Sequence, residues 1–285
     1  MRKRGLLLCL ALLLVLCQGC TWPHKKTVTI GGQSVTIDPS VPENNLNASD
    51  FSQQEDGKVV YTGGKYLTGI DVSAHQGKID WKKVAKQVDF AMIQVGYRGY
   101  TEGKLAEDER FRENIQQALK YKLKVGVYFF SQAITPKEAK AEAKYLLKLI
   151  KDYDITLNVA YDWEYIDNVD FGTARTDKIK ENTVTECAAA FCKTIADAGY
   201  QPAIYCNGML GYFSYDLSKL SGVDVWYANY ADPSPEFAYQ IRMWQYSDKG
   251  KLEGVTGTVD LNRYFYDQAS AQKAVKTGVA ASLFS

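Results

Sequence analysis

Two acidic residues, Asp162 and Glu164, lie two positions apart in the otherwise apolar and aromatic segment 158–165, which reads NVAYDWEY. An unpaired charge inside a protein costs several kcal/mol, so acids in such a segment are either exposed or functional. In a strand, both carboxyl groups would point to the same face. Close like charges raise one of the two pKa values, so the pair can supply a proton donor beside an ionised group. Cleavage of a glycosidic bond uses this combination, because one carboxyl group protonates the leaving oxygen while the other stabilises positive charge at the anomeric carbon.

The surroundings of this pair distinguish it from similar patterns elsewhere in the chain. The segments 107–109 and 152–154 also place two acids two positions apart, but their neighbours are polar. They indicate the solvated start of one helix and the end of another. Asp162 and Glu164 instead follow the apolar residues 159–161 and are therefore the candidate catalytic pair.

Three further polar residues stand near the ends of apolar segments. Asp71 lies in GIDVS, Gln245 in MWQYS and Asp260 in TVDLN. Each alone is consistent with a capping or turn residue. If the segments are strands of one barrel, however, all of the acids converge on a single mouth.

The elements that must position these residues begin at about residue 67. Five strand–helix units are predicted, followed by three strands with little helix between them. The predicted strands cover 67–73, 90–97, 124–132, 158–165, 201–207, 223–230, 239–247 and 257–265. Helical spacing and capping signals predict helices over 107–122, 135–150 and 176–199, after a helical turn over 80–87. Eight mostly parallel strands predict a closed α/β barrel whose last third lacks outer helices and whose strand ends open onto the catalytic face.

The first twenty residues predict export. MRKR is followed by about thirteen mostly apolar residues, too few to span a bilayer comfortably. The segment ends in LCQGC and resembles a bacterial lipobox in which Cys20 would be lipidated, although Cys17 stands where an aliphatic residue is usual. A cleaved signal without lipid and an uncleaved anchor are the alternatives, and all three export the protein.

Residues 21–66 differ in composition from the rest of the chain. KTVTIGGQSVTID predicts a small hairpin around 31–33, and the polar stretch 39–58 is typical of a linker. The predicted organisation is therefore a signal peptide over 1–20, an N-terminal extension and linker over 21–66, and a barrel over 67–285. The extension would hold the catalytic body away from the membrane.

The composition argues against several functional classes. A formal net charge of +1 provides no global field for binding nucleic acid or acidic lipid. The chain has only two histidines, His24 and His75, and no CxxC pattern downstream of the leader, so it offers few residues for a zinc site or a Ser-His-Asp triad. We expect no metal and no cofactor. The three cysteines downstream of Cys20 are interpreted as buried free thiols; these are Cys187, Cys192 and Cys206.

Four motifs together resemble those of the glycoside hydrolase family 25 muramidases. They are GIDVSAHQGKIDW (69–81), AYDWEY (160–165), WYANY (226–230) and MWQYSDKGKLEGVTGTVDLNRY (243–264). The resemblance covers about residues 67–270 and implies an irregular TIM-like (β/α)5(β)3 barrel. It also implies hydrolysis, with retention of configuration, of the β-1,4 bond between N-acetylmuramic acid and N-acetylglucosamine in peptidoglycan. Whether an enzyme nucleophile or the substrate's acetamido group forms the intermediate is left open.

The resemblance also implies roles for individual residues. Glu164 matches the general acid/base, and Asp162 matches the acid that stabilises the oxocarbenium ion or orients the acetamido group. Asp71 and Asp260 match two further acids of the groove. The implied sugar contacts are Tyr128, Tyr205, Tyr230 and Gln245.

Two alternative functions remain at this point. A chitinase-like N-acetylglucosaminidase also uses an acid pair on its fourth strand, but usually with another acid where this chain has Ala160. A non-catalytic peptidoglycan-binding protein would not need Asp162 and Glu164. The expected protein is a monomer at the outer face of the cytoplasmic membrane or in the cell wall, with peptidoglycan glycan strands as its partner and a lipid anchor as its membrane contact.

Overall fold

The computed structural model describes residues 26–166, 173–177 and 179–266. Within them, eight strands form a closed barrel, because the first of these strands pairs with both the second and the last. In chain order the barrel strands are β5 (Tyr66–Val72), β6 (Phe90–Arg98), β8 (Lys124–Ser131), β9 (Val159–Trp163), β10 (Pro202–Asn207), β11 (Asp224–Ala228), β12 (Met243–Gly250) and β13 (Val259–Phe265). A short strand, β7 (Leu105–Glu107), pairs with β6 outside the barrel. The predicted eight-stranded mixed α/β barrel is confirmed.

The last barrel strand runs against the others. Neighbouring strands from β5 to β12 are parallel, whereas β13 is antiparallel to both β12 and β5. The start of β13 therefore lies beside the end of β5, and Asp260 pairs in register with Asp71. This reversal brings Asp260 to the same mouth as the acids at the ends of parallel strands.

Helices cover the first strands of the barrel and become short after β10. The helices are α1 (Trp81–Val84), α2 (Phe111–Lys120), α3 (Pro136–Ile150) and α4 (Glu181–Asp197). Helix α3 begins as predicted, with the Thr135 side chain accepting from the Glu138 backbone N–H and proline as its first residue. Between β10 and β11 there are only a π-helical turn, Leu210–Ser214, and a 3-10 turn, Leu217–Lys219.

The alternation of residues along β9 explains how this strand carries acids. Val159, Tyr161 and Trp163 point outward into the apolar layer between the strands and the helices. Ala160 belongs instead to the cluster inside the barrel. Since side chains alternate across a strand, Asp162 shares the inward face with Ala160. The strand's outer face thus accounts for its apolar sequence.

Residues 26–66 of the N-terminal extension are folded. The predicted hairpin is confirmed as β1 (Thr27–Ile30) paired with β2 (Gln33–Thr36), and a second hairpin pairs β3 (Phe51–Gln53) with β4 (Val59–Tyr61). The stretch 39–58, whose composition is typical of a linker, packs on the barrel in the structure. Its few apolar residues are widely spaced, so composition does not reveal that Phe51 is buried.

Backbone, aromatic and side-chain contacts hold the extension to the barrel. Glu43 forms an isolated antiparallel bridge with Tyr239, just before β12. The Phe51 ring packs edge-on against Trp244 and Phe265, with centroids 5.6 and 6.0 Å away. The Arg263 Nε donates to the Val59 carbonyl at 2.9 Å.

In the part of the chain that the structure describes, no helix is long and apolar enough to cross a membrane. The predicted signal peptide, including Cys20, lies outside the described residues, as do residues 267–285.

Candidate active site

A groove of about 870 Å³ opens at the carboxyl ends of the parallel strands. It contains every acid and sugar-contact residue predicted from the sequence, so the structure brings the whole set together. These lining residues are Asp71, Tyr128, Asp162, Glu164, Tyr205, Tyr230, Gln245 and Asp260. Such a concave site with converging polar groups is typical of ligand binding.

Asp162 and Glu164 differ in depth. Asp162 lies within β9 and is 7% exposed, whereas Glu164 is the first residue after the strand and is half-buried. Burial raises the pKa of Asp162 well above its ordinary value, and the charges of Glu164 and Asp71 and a side-chain hydrogen bond to Glu164 act in the same direction. Asp162 Oδ1 has no hydrogen-bond partner among the described residues. The two acids thus form a hydrogen-bonded pair whose proton is favoured on Asp162 by its greater burial.

Asp71 and Asp260 form a second carboxyl pair across the β5–β13 register. Asp71 is 5% exposed, and its Oδ2 accepts from Asn262 Nδ2 at 2.7 Å and from Gln245 Nε2 at 2.8 Å. Burial raises the pKa of Asp71, while these two hydrogen bonds and one from Asp260 oppose the rise. Burial and the charge of Asp71 raise the pKa of Asp260 to about 8. At neutral pH the pair therefore carries a proton on Asp260 that is donated to Asp71.

The side chain of Gln245 is fixed from both sides. Its Oε1 accepts from Tyr205 Oη at 2.9 Å and from Tyr230 Oη at 2.5 Å, while its Nε2 donates to Asp71. An amide oriented by three partners presents a rigid wall to the groove. Tyr128 lies across the groove and is buried, with its Oη 3.4 Å from the Val72 carbonyl.

Several residues of the site were not predicted from the sequence. Asn262, which fixes Asp71, lies two positions after Asp260 and so shares its face of β13; that spacing could have revealed it. Trp226 donates from Nε1 to Asn262 Oδ1 at 2.8 Å and stands beneath the tyrosines. At the rim, Tyr97 and Tyr100 are 40% and 43% exposed and line the groove.

Outside the groove, Cys187, Cys192 and Cys206 are buried free thiols, as predicted. Within the described ranges, no group of three or more histidine, cysteine, aspartate or glutamate side chains is arranged to hold a metal ion.

Comparison with known proteins gives one family and several relatives. The model of "Glycosyl hydrolases family 25" matches residues 70–255. The uncharacterized protein YegX of Escherichia coli K12 is 27% identical over 204 residues, which cover 69% of this chain and 68% of YegX. An autolytic lysozyme of Clostridium acetobutylicum is 25% identical over 199 residues, which cover 70% of this chain and 56% of that enzyme.

Solved structures show the same fold. The modular autolysin LytC of Streptococcus pneumoniae, determined in complex with a synthetic peptidoglycan ligand, aligns with a TM-score of 0.61 at 24% identity, over 84% of this chain and 58% of LytC. A bacterial lysozyme from Streptomyces coelicolor aligns with a TM-score of 0.59 at 23% identity, over 71% of this chain and 93% of that one. This chain therefore spans little more than half the length of LytC and of the Clostridium autolytic lysozyme, and nearly all of the Streptomyces lysozyme.

Proposed function

The chain belongs to family 25 of the glycosyl hydrolases, and we propose that it is a peptidoglycan hydrolase that cleaves the β-1,4 bond between N-acetylmuramic acid and N-acetylglucosamine. The observation that carries this proposal is the acid pair Asp162 and Glu164, at the end of β9, facing a groove that also contains Asp71 and Asp260. A lysozyme and an autolysin among the relatives support the same substrate.

In the proposed reaction Glu164 is the general acid. It is the more exposed member of the pair and stands beyond the strand end, where a glycosidic oxygen can reach it. The proton that Glu164 receives from Asp162 passes to the leaving oxygen as the bond to the anomeric carbon breaks. General acid catalysis of this kind contributes about 10²- to 10⁴-fold to the rate.

Asp162 is proposed to stabilise the positive charge that develops at the anomeric carbon. A growing cation lowers the pKa of a nearby carboxyl group, so the proton that burial favours on Asp162 is released through the hydrogen bond to Glu164. Asp162 then becomes ionised while Glu164 is resupplied with the proton that it donates. This order accounts for a protonated Asp162 before the substrate reacts and for an ionised Asp162 in the transition state.

The other groove residues are proposed to hold the sugar rings. Tyrosine rings offer flat apolar faces that suit stacking on sugars, with a hydroxyl at the edge for hydrogen bonding. The proposed contacts are Tyr128, Tyr205, Tyr230 and Gln245. The proposal further includes retention of the anomeric configuration, an irregular TIM-like (β/α)5(β)3 topology, and action as a monomer. It also includes export to the outer face of the membrane, with Cys20 as the lipidated residue.

Mass spectrometry of digested peptidoglycan tests the proposal. Wild-type protein should release fragments with reducing muramic-acid ends, and Glu164→Gln should lose this activity by about 10²-fold or more while remaining folded. Asp154→Asn is the matched control, because it alters an exposed acid of a similar acid-x-acid pattern at the other end of the preceding loop. It should retain wild-type activity.

Other products would lead to other conclusions. Fragments with reducing N-acetylglucosamine ends would replace the muramidase proposal with the glucosaminidase alternative. If the wild type cleaved nothing, the alternative of a non-catalytic peptidoglycan-binding protein would replace the proposal. Full activity in Glu164→Gln would refute the assignment of Glu164 as the general acid.

A further inference from the structure

We propose that Gln132 is a positioning residue for Glu164 and sets the place from which the proton is donated. This inference rests on the proposed function of Glu164. The β9 ladder ends at Trp163, which pairs with Ser131 at the end of β8. Glu164 is therefore just outside the sheet, and other contacts must fix its peptide group.

The amide of Gln132 supplies such a contact. Gln132 is the first residue after β8 and is fully buried. Its Nε2 donates to the Glu164 carbonyl at 2.8 Å and to the Ser131 carbonyl at 3.0 Å, and its Oε1 accepts from Thr176 Oγ1 at 3.0 Å. One side chain thus joins the ends of two strands to the segment 173–177. An ionised glutamate only accepts hydrogen bonds and a methionine donates none, so neither can reproduce this arrangement.

The segment that carries Thr176 is itself fixed. The backbone N–H of Arg175 donates to the Tyr100 carbonyl at 2.9 Å, and Arg175 Nη2 donates to Glu138 Oε1 of α3 at 2.7 Å. Thr176 is fully buried. Its hydroxyl is therefore a stable partner for Gln132, and it also connects Gln132 to a groove wall that includes Tyr100.

A buried ion pair supports the other side of Gln132. Glu142 of α3 is fully buried and accepts from Arg98 Nε at 2.6 Å and from Ser131 Oγ at 2.6 Å. Ser131 Oγ in turn accepts from the Ala133 N–H at 3.2 Å. The residues on both sides of Gln132 are thereby held through one carboxylate. Buried ion pairs add little stability compared with apolar residues, so a role in defining geometry accounts better for this network.

Gln132 contacts the peptide group of Glu164 and is not proposed to contact substrate. Its loss should therefore affect kcat more than KM. Displacing a catalytic group by about 1 Å can reduce the rate by about a hundredfold while binding of the substrate is retained. Gln132→Met keeps the length of the side chain and removes the amide. We expect kcat to fall about 10- to 100-fold with KM changed less than about twofold.

Three further variants accompany Gln132→Met in the test, all in the purified full chain. Thr176→Val should lower kcat in the same way but less, and the double variant should be no worse than Gln132→Met because both changes remove one linked contact. Gln201→Met is the matched control: its amide also donates to carbonyl groups, at 3.4 Å to Pro202 and 3.0 Å to Gly222, at the opposite end of the barrel. It should leave kcat unchanged.

The measurements are kcat and KM on solubilised glycan strands, the pH profile of kcat, and the melting temperature of each variant. A displaced acid should also shift the alkaline limb of the pH profile in Gln132→Met, which a merely structural change would not do. Unchanged kcat in Gln132→Met, additive losses in the double variant, or a loss equal to the unfolded fraction would overturn the inference alone. A wild type without lytic activity would instead overturn the proposed function, and this inference with it.

Discussion

Removal of the Phe51 ring should destabilise the whole barrel, although this residue lies outside the part of the chain that matches the family. Phe51 is 8% exposed and stacks on Tyr61 at 4.6 Å within its own hairpin. It also packs edge-on against Trp244 and Phe265 of the barrel. A buried phenylalanine replaced by alanine costs about 3–5 kcal/mol, and each aromatic pair contributes about 0.5–1.5 kcal/mol. Because one of the three ring contacts stays within the extension, we expect Phe51→Ala to lose about 3 kcal/mol.

Urea unfolding of the purified protein, followed by tryptophan fluorescence, measures this loss directly. Trp244 lies against Phe51, so its emission reports on the contact. Gln53→Ala is the matched control, because Gln53 is an exposed residue of the same strand. It should change the free energy of unfolding by less than about 0.5 kcal/mol. Both variants should unfold in a single transition.

Two results would refute the reasoning. If Phe51→Ala were as stable as Gln53→Ala, the aromatic contacts would not couple the extension to the barrel. If the extension unfolded in a separate, earlier transition while the barrel kept its fluorescence, the extension would be an independent unit.

Two further predictions concern the acids. Asp162→Asn should lower kcat by about 10²-fold or more while glycan binding, measured by calorimetry, changes only severalfold; loss of binding would contradict the role proposed for Asp162. The second prediction is a pH dependence of stability. The pKa of Asp260 in the folded protein is about 8, above that of an unfolded aspartate, so the native state holds an extra proton between these two values. The stability that Asp260 contributes is therefore fully present below about pH 4 and is lost as the pH rises to about 8. Asp260→Asn should reduce this fall in urea unfolding at pH 4, 6 and 8, and an equal fall in both proteins would show that Asp260 ionises freely.

The barrel and its acids were predictable because the signals are local. Ala160 and Asp162 alternate with large apolar residues along β9, and this pattern alone places the acid on the inner face of a strand. Asp71 and Asp260 likewise stand in short apolar segments. Local patterns of this kind can be recognised in the sequence without knowing which strands pair with each other.

The remaining features depend on distant contacts. The burial of Phe51 requires partners nearly two hundred residues away, and Gln132 gains its role only when β8, β9 and the segment 173–177 are brought together. The division of protons between Asp162 and Glu164 depends on relative depth, which spacing does not specify. The antiparallel direction of β13 also had no signal in its own sequence.

The docked extension determines how far the enzyme can reach if Cys20 carries the proposed lipid. A free linker over residues 21–66 would form a tether with a maximum extension of about 150 Å. The few residues between Cys20 and the first described residue, Lys26, extend to only about 20 Å. Lys26 Nζ is held by Glu43 at 2.8 Å, and Glu43 pairs with Tyr239 ahead of β12. The chain towards Cys20 would then leave the folded body at Lys26, beside residues 234–238. With so short a tether, the distance between the bilayer and the groove would be set by the folded body and not by a flexible linker.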